Sequence, residues 1–461
     1  MITLFLLYNG DMRIKDYIGD DEFYERVLRV ALPCAMSQLL VSCRNIIASI
    51  MVSSIGMVTA VGNASNIINL HQYVLWGISA GVSIFAAQFF GARQYRNMAK
   101  AQGVFLVLSL LHTLFWIIMV YTIGDKLLLF YLNDEEIMVN SLIYLRFVIV
   151  SLIFLCITIS FKSMYQSMHL TKLTFAESVL YVVLNIFNNY LFIFVLKKGI
   201  VGAGMAALLT EILCCSVTVG FTIWHKPEFF FGFKEMFTFD LDFIRPFISK
   251  ILPITFNELL FGFGMSLFNK AYGMLGSASM EAIYIGSEIL SLVLFVVWGF
   301  GEAVSILVGT LLGKGRIEQA KEESKYYLGL SFVMGLLLWL IMVVLSPVFL
   351  KLYHIEDPYT YDLISKLLMV YGFKAFLRVF TYVMFCTLKA GGDSKAYNLL
   401  DSGIMFTVGI PIAFAGVYFG MKDVALLVLL CQIEQVVRFF LTLKRYNSYK
   451  WANNLTELVK S

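Results

Sequence analysis

Two stretches of this chain, residues 33–56 and 253–276, follow a single pattern. Each opens on a proline (Pro33, Pro253), sets a polar residue five positions on (Gln38, Glu258), runs apolar for the length of a helix and closes on a glycine (Gly56, Gly276). The order continues beyond them. Trp76-Gly77, Val82-Ser83-Ile84 and Gly91 recur as Trp298-Gly299, Val304-Ser305-Ile306 and Gly313, and a basic run then leads to Ala99-Lys100 or Ala320-Lys321. A bilayer core is crossed by about 20 apolar residues in a helix, and runs of that kind fill most of the chain. The sequence is that of a duplicated membrane unit.

Composition agrees. Hydrophobic residues make up 59%, charged residues 14%, and the mean hydropathy is +0.80, whereas soluble chains are roughly a quarter charged. A net charge of +4 gives no argument for a nucleic-acid partner. Seven cysteines are scattered through apolar runs, only Cys214 and Cys215 being adjacent, with no metal-ligand spacing; they read as buried thiols, and no cofactor is expected. The apolar start from Ile2 to Tyr8 is too short for a signal-peptide core. Met12 followed by Arg13-Ile14-Lys15 makes a reasonable natural start.

Apolar run length and flanking breakers predict twelve membrane helices. Six fall near 27–49, 61–90, 104–124, 137–162, 174–196 and 200–224. The others fall near 246–275, 283–312, 326–350, 362–388, 396–419 and 423–443. The expected organisation is a segment 1–26, an N-lobe 27–224, a linker 225–245, a C-lobe 246–443 and a tail 444–461. Lys and Arg gather in alternate loops (Arg93, Arg96 and Lys100; Lys314, Arg316 and Lys321), which places those loops and both termini in the cytoplasm. Each copy has an even number of helices, so the repeats are parallel, an arrangement that suits alternating access.

Ionisable groups within the membrane are costly, about 2.5–3.5 kcal/mol on insertion scales, and usually serve a purpose. The second copy holds Glu258 in its first helix, Glu288 and Glu302 in its second and Asp401 in its fifth. Fourteen residues at about 100° each return Glu302 to within roughly 40° of Glu288. A half-buried carboxylate suits proton uptake, and carboxylate with amide oxygens, as at Glu258 and Asn257, equally suits Na⁺. The first copy offers hydrogen-bonding groups instead: Gln38, Ser42, Asn45 and Ser49 along one stripe with Arg44 off it, His71, and Asn185, Asn188 and Asn189. Structural roles compete. Asp401 has Lys374 or Arg378 as candidate partners, Glu434 and Arg438 stand at helical spacing, and His71 suits a hydrogen-bonded interior site. Gly77-Ile78-Ser79-Ala80-Gly81 matches a hydrolase pattern but has no strand before it; glycines four apart favour helix packing.

The entry Tyr17-Ile18-Gly19-Asp20, Phe23-Tyr24 and Ala31-Leu32-Pro33 resembles bacterial members of the multidrug and toxic compound extrusion (MATE) family. So do Leu388-Lys389-Ala390-Gly391-Gly392-Asp393-Ser394, Asp401, Gly409-Ile410-Pro411, Glu434 and the tail Lys450-Trp451-Ala452-Asn453-Asn454-Leu455. The resemblance implies an all-α membrane protein of two six-helix lobes around a central cleft, exporting drug-like, often cationic compounds in exchange for H⁺ or Na⁺. The first-helix Asp of bacterial members falls on Ala48 here, and the fifth-helix Asp of some members on Asn189. Members that couple through the second lobe use a Glu of the seventh helix and acids of the eighth and tenth; Glu258, Glu288 and Glu302 fit the first two places, but the tenth helix presents Lys374 and Arg378.

The expectation is a monomeric, non-enzymatic exporter in the plasma membrane, coupled through Glu258, Glu288, Glu302 and Asp401. Gln38, Ser42, Asn45, Asn189, Tyr73, Trp76 and Trp298 are expected to meet the substrate, Arg44 favouring an anionic one. A flippase for lipids or lipid-linked saccharides, a membrane-embedded enzyme and a non-transporting membrane protein are the alternatives.

Overall fold

The computed structural model describes residues 14–132, 134–352 and 358–459; Met12 and the apolar residues before it lie outside them. Among the described residues twelve helices are long and apolar enough to cross a membrane. They are α1 (Asp21–Ser53), α2 (Val58–Gly91), α3 (Tyr95–Tyr131), α4 (Glu135–Ser167), α5 (Thr171–Asn189) and α6 (Gly199–His225). Then come α7 (Leu241–Gly273), α8 (Ser277–Gly313), α9 (Ile317–Val344), α10 (Pro358–Ala390), α11 (Ser394–Tyr418) and α12 (Val424–Asn447). No described residue lies in a strand. Each predicted helix is present, and most are longer than the apolar run that marked them. α3 begins at Tyr95 rather than near 104 and ends at Tyr131 rather than near 124. Hydropathy marks only the part of a helix that lipid surrounds, while its hydrogen bonds continue until a cap or a turn stops them.

Aspartates set several starts. The Asp20, Asp134, Asp240 and Asp423 side chains accept the amide N–H three residues on, at 2.8, 3.0, 2.9 and 3.0 Å, satisfying a donor that helix geometry leaves free. The ends repeat between the copies. Gly56 and Gly276 have φ of +70° and +105°, a region that strains any residue with a side chain. Four further turns put a left-handed residue at matching places: Arg93 and Gly315, His169 and Gly392, Lys197 and Gly420, Lys226 and Tyr449. The duplication is therefore written in the backbone as well as the sequence.

The chain forms two compact units, divided inside α1 and α7. The first comprises Pro33–Phe263 and the chain from Leu455, the second the chain to Leu32 and Gly264–Asn454. In the first unit Ile67, Leu128, Leu145 and Ile149 centre an apolar core. α7 lies close on α2 because small residues permit it: a Cβ on Gly77 would strike the Thr255 backbone, and one on Gly81 would lie 2.5 Å from Ile251. A turn further on, the rings of Phe85 and Phe247 stack at 4.0 Å. The hydrolase-like pattern at Gly77–Gly81 is thus a packing surface inside a helix.

In the second unit, α10 packs against α8, α9 and α12. Glycines again allow contact: a Cβ on Gly335 would lie 3.0 Å from Phe376, and one on Gly372 would lie 2.6 Å from Trp339. Beyond α12 the chain is pinned by Trp451, wholly buried, whose indole N–H donates to the Tyr446 carbonyl at 3.0 Å. Arg445 grips Asp393 through two hydrogen bonds of 2.6 and 2.9 Å.

Gly77→Ala must separate α7 from α2 and is expected to lower stability by about 1–3 kcal/mol, the usual cost of overpacking. Gly62→Ala, in the same helix with nothing within 4 Å of its added methyl, is expected to be neutral or stabilising. Thermal unfolding of the two variants in one detergent distinguishes them.

Candidate functional site

Glu258 stands midway along α7, half-buried, beside the fully buried Asn257. One turn on, Gly262 admits the ring of Tyr73 from α2, which would lie 2.5 Å from an added Cβ. Residues four apart share a helix face, so Glu258 and Gly262 look toward Tyr73, and the carboxylate acts electrostatically on that phenol. Tyr73 meets Trp76 edge to face at 5.8 Å, and Trp76 is half exposed. Glu258, Asn257, Tyr73 and Trp76 are therefore neighbours in sequence or space within the first unit.

The other expected residues of this unit are placed as follows. Gln38 is half-buried, and the Ser42 hydroxyl donates to its backbone carbonyl at 3.3 Å. The side chains of Arg44, Asn45 and Ser49 lie outside the described ones. Asn189 donates to the carbonyl and the side-chain oxygen of Asn185 at 2.8 and 3.2 Å, and Asn188 donates to the Thr210 hydroxyl at 2.9 Å. These amides are bound to α5 itself and to α6. Past Asn189 the helix widens into π turns over Tyr190–Val195, a local form frequent at functional sites. His71 is an interior histidine, with Nε2 2.9 Å from the Thr113 hydroxyl and its ring stacked on His112 at 4.7 Å.

The second unit holds a buried charge cluster. Arg378 on α10 contacts the Asp401 carboxylate on α11 at 3.2 Å. Arg438 on α12 reaches the same carboxylate at 3.6 Å, donates to the Asp401 backbone carbonyl at 3.0 Å and pairs with Glu434 one turn before it. Lys374, one turn before Arg378, has Glu434, Arg378 and Arg438 as charged neighbours. Asp401 sits in a π turn, Leu399–Gly403, and another follows at Met405–Gly409. Pro411 has no amide hydrogen to give, and the widened turns lead into it. Trp298 meets Tyr382 edge to face at 4.5 Å, and the Arg378 guanidinium lies 5.8 and 5.9 Å from their rings. Glu302 is half-buried near Cys386 of α10, while Glu288 is exposed. Among the described residues no three His, Cys, Asp or Glu side chains form a metal-ligand group.

Sequence reasoning matched Arg438 to Glu434 and Asp401 to α10 separately. It missed Arg438 as the joint between them. A signal existed: two arginines and two acids on three successive apolar helices cannot remain apart in lipid.

The sequence profile of the MatE family matches twice, over residues 33–191 and 253–415. The chain belongs to the MatE family. The two matches begin at Pro33 and Pro253, where the internal repeat begins. Among relatives, multidrug and toxin extrusion protein 1 of Xenopus tropicalis is 24% identical over 85% of this chain and 68% of its own length. The human protein of that name is 24% identical over 90% and 73%, and the uncharacterized transporter YisQ of Bacillus subtilis 21% over 86% and 87%. Among solved structures, an outward-facing multidrug resistance MATE transporter of the MOP superfamily superposes with a TM-score of 0.84 at 17% identity, covering 95% of this chain and 98% of that one. A MOP-superfamily transporter from Pyrococcus furiosus, described as having a binding pocket of reverse polarity, gives 0.80 at 18% identity over 95% and 98%. MatE proteins are membrane transporters, and the twelve-helix fold of this chain is theirs.

Asp401→Asn leaves two guanidiniums without their shared carboxylate. Breaking a buried pair from one side costs about 3–5 kcal/mol, and unfolding in mixed micelles is expected to register a loss of that size. Pairing the substitution with Arg378→Gln is expected to recover part of it, which a double-mutant cycle measures.

Proposed function

We propose that this protein is a secondary active exporter that exchanges small organic molecules for H⁺ or Na⁺ by alternating access, with Glu258 as the coupling carboxylate. The observation that supports this most directly is Glu258 itself, half-buried in the middle of α7 and facing the Tyr73 phenol. A carboxylate at that depth exchanges a proton or accepts a cation with a change in its local field, and Asn257 beside it supplies a neutral oxygen for Na⁺. Tyr73 and Trp76 offer ring faces for an organic cation. Glu302 assists in this reading, and Glu288, exposed, has the lesser part. Asp401 is shared by Arg378 and Arg438. Ala48 and Asn189, which stand where other members have Asp, favour coupling outside the first six helices' usual carboxylates. The Lys and Arg distribution supports cytoplasmic termini in a plasma membrane. The Pyrococcus furiosus relative, named for its reversed pocket polarity, supports reading the charge of each member's interior on its own terms.

The test uses proteoliposomes with an imposed proton gradient or an imposed sodium gradient and efflux of fluorescent organic cations and organic acids. Wild-type flux is expected under one gradient. Glu258→Gln is expected to reduce that flux to the leak of empty vesicles. Undiminished flux in the variant moves the coupling site elsewhere.

A further inference from the structure

The buried cluster that joins α10, α11 and α12 has unequal charge. Lys374, Arg378 and Arg438 face two carboxylates, Asp401 and Glu434, and both carboxylates are engaged by arginine. Lys374 is the remainder. It lies at the middle of the span Thr360–Ala390, and among the described residues it makes no ion pair within 4 Å and no hydrogen bond. The Tyr371 ring is 5.8 Å from its ammonium. The other groups around it are Arg378 on α10 and Cys431, Glu434 and Arg438 on α12; Tyr371 is met in turn by Tyr272 of α7 and Ser287 of α8, and Glu302 of α8 and Lys389 of α10 stand with Arg378 near Cys386. Lys374 and Arg378 are also four residues apart on one helix, where like charges repel. An ammonium placed in lipid depth against a second cation is costly twice. Protonating either carboxylate only enlarges the excess.

We propose that Lys374 and Arg378 form a subsite for an anionic group of the substrate, a carboxylate or phosphate ester, on an aromatic or apolar body. The shape of the cluster agrees. A group accepting from both side chains would have the Tyr371 ring on the Lys374 side, and Trp298 and Tyr382 on the Arg378 side. The transported class is then organic acids and amphoteric molecules, in which an anionic end is joined to an apolar or basic one. Lys374 is the specificity-determining residue. Arg378 is tied to Asp401, so the net positive charge of the site is that of Lys374.

This rests on the exporter reading but is tested without a gradient. The whole chain in neutral detergent is titrated with radiolabelled naphthoate and with the uncharged naphthamide of nearly the same shape. Wild type is expected to prefer naphthoate. Lys374→Gln is expected to weaken naphthoate binding about ten- to a hundredfold, the worth of one charge-assisted hydrogen bond, and to leave naphthamide unchanged; Lys374→Arg is expected to restore the preference. Equal binding of the two probes by wild type overturns the proposal without recourse to any variant. So does naphthoate binding that ignores Lys374→Gln. Displacement of nothing by naphthoate, with phosphatidylglycerol in mixed micelles binding through Lys374 instead, assigns the site to a lipid phosphate and also overturns it. Naphthoate binding that depends on Lys374 in a protein without gradient-driven flux upholds the subsite and removes the exporter.

Discussion

A charge inside a hydrocarbon layer must be answered by another charge or by a dipole, and that requirement organises the second unit. Arg438 is 1% exposed, at membrane depth in α12. It is held by Glu434 from its own helix and by the carboxylate and backbone carbonyl of Asp401 from α11. Asp401 in turn holds Arg378 on α10. Three helices are fixed in register by one carboxylate. An apolar cluster tolerates sliding far better than this, because methyl groups exchange neighbours at little cost, whereas a guanidinium displaced from its acid is left bare in a low dielectric. The π turns of α11 fit the same account: widening the helix at Leu399–Gly403 sets both the side chain and the carbonyl of Asp401 toward α12.

The first unit meets the same solvent by other means. Lipid gives little hydrophobic drive for one helix to bind another, so close approach and side-chain hydrogen bonds do the work. Gly77 and Gly81 bring α7 onto α2, and asparagine amides, hydroxyls and a stacked histidine pair tie α2 through α6. Charge is sparse here. Lys162 and Glu177 pair at 3.0 Å, with Ser178 supporting the lysine. Besides that pair there are the half-buried Glu258 of α7 and the buried Glu211 of α6.

Much of the fold was legible because hydropathy and loop composition act locally. Twelve runs marked twelve helices, and Pro33, Gly56, Pro253 and Gly276 marked the duplication. The ends were less legible: Arg93, His169, Lys197 and Lys226 take up left-handed turns that their sequence does not advertise, whereas Gly315, Gly392 and Gly420 do so at the matching places. One copy reveals what the other conceals. At the site, Glu258 could be found from its depth in an apolar run, and the pairing of Asp401 with α10 from the want of a free acid. The meeting of Asp401 with Arg438 was less legible: two arginines and two acids on successive apolar helices have to meet, but which pairs form depends on how three helices are turned about their axes. Pro411 removes one backbone bond a turn before it, beside the π turn Met405–Gly409, but the π turn that carries Asp401 has no such mark in the sequence.

The two copies have thus kept one architecture and diverged in charge. Position by position, Gln38 answers to Glu258, and on the fifth helix of each copy Ser178 answers to Asp401. A hydroxyl satisfies itself within its own helix, as Ser178 does with the Thr174 carbonyl. A carboxylate in the same surroundings must recruit a cation, and Asp401 recruits two. Each recruited arginine then requires its own compensation, which Glu434 supplies for one of them. Once ionised groups enter a membrane interior they are not added singly, and a balanced set would be electrically inert. Lys374 breaks that balance. A polypeptide that has balanced two buried arginines with two acids and then sets an ammonium near them, 5.8 Å from the Tyr371 ring, carries among its described residues a positive charge that no ion pair answers.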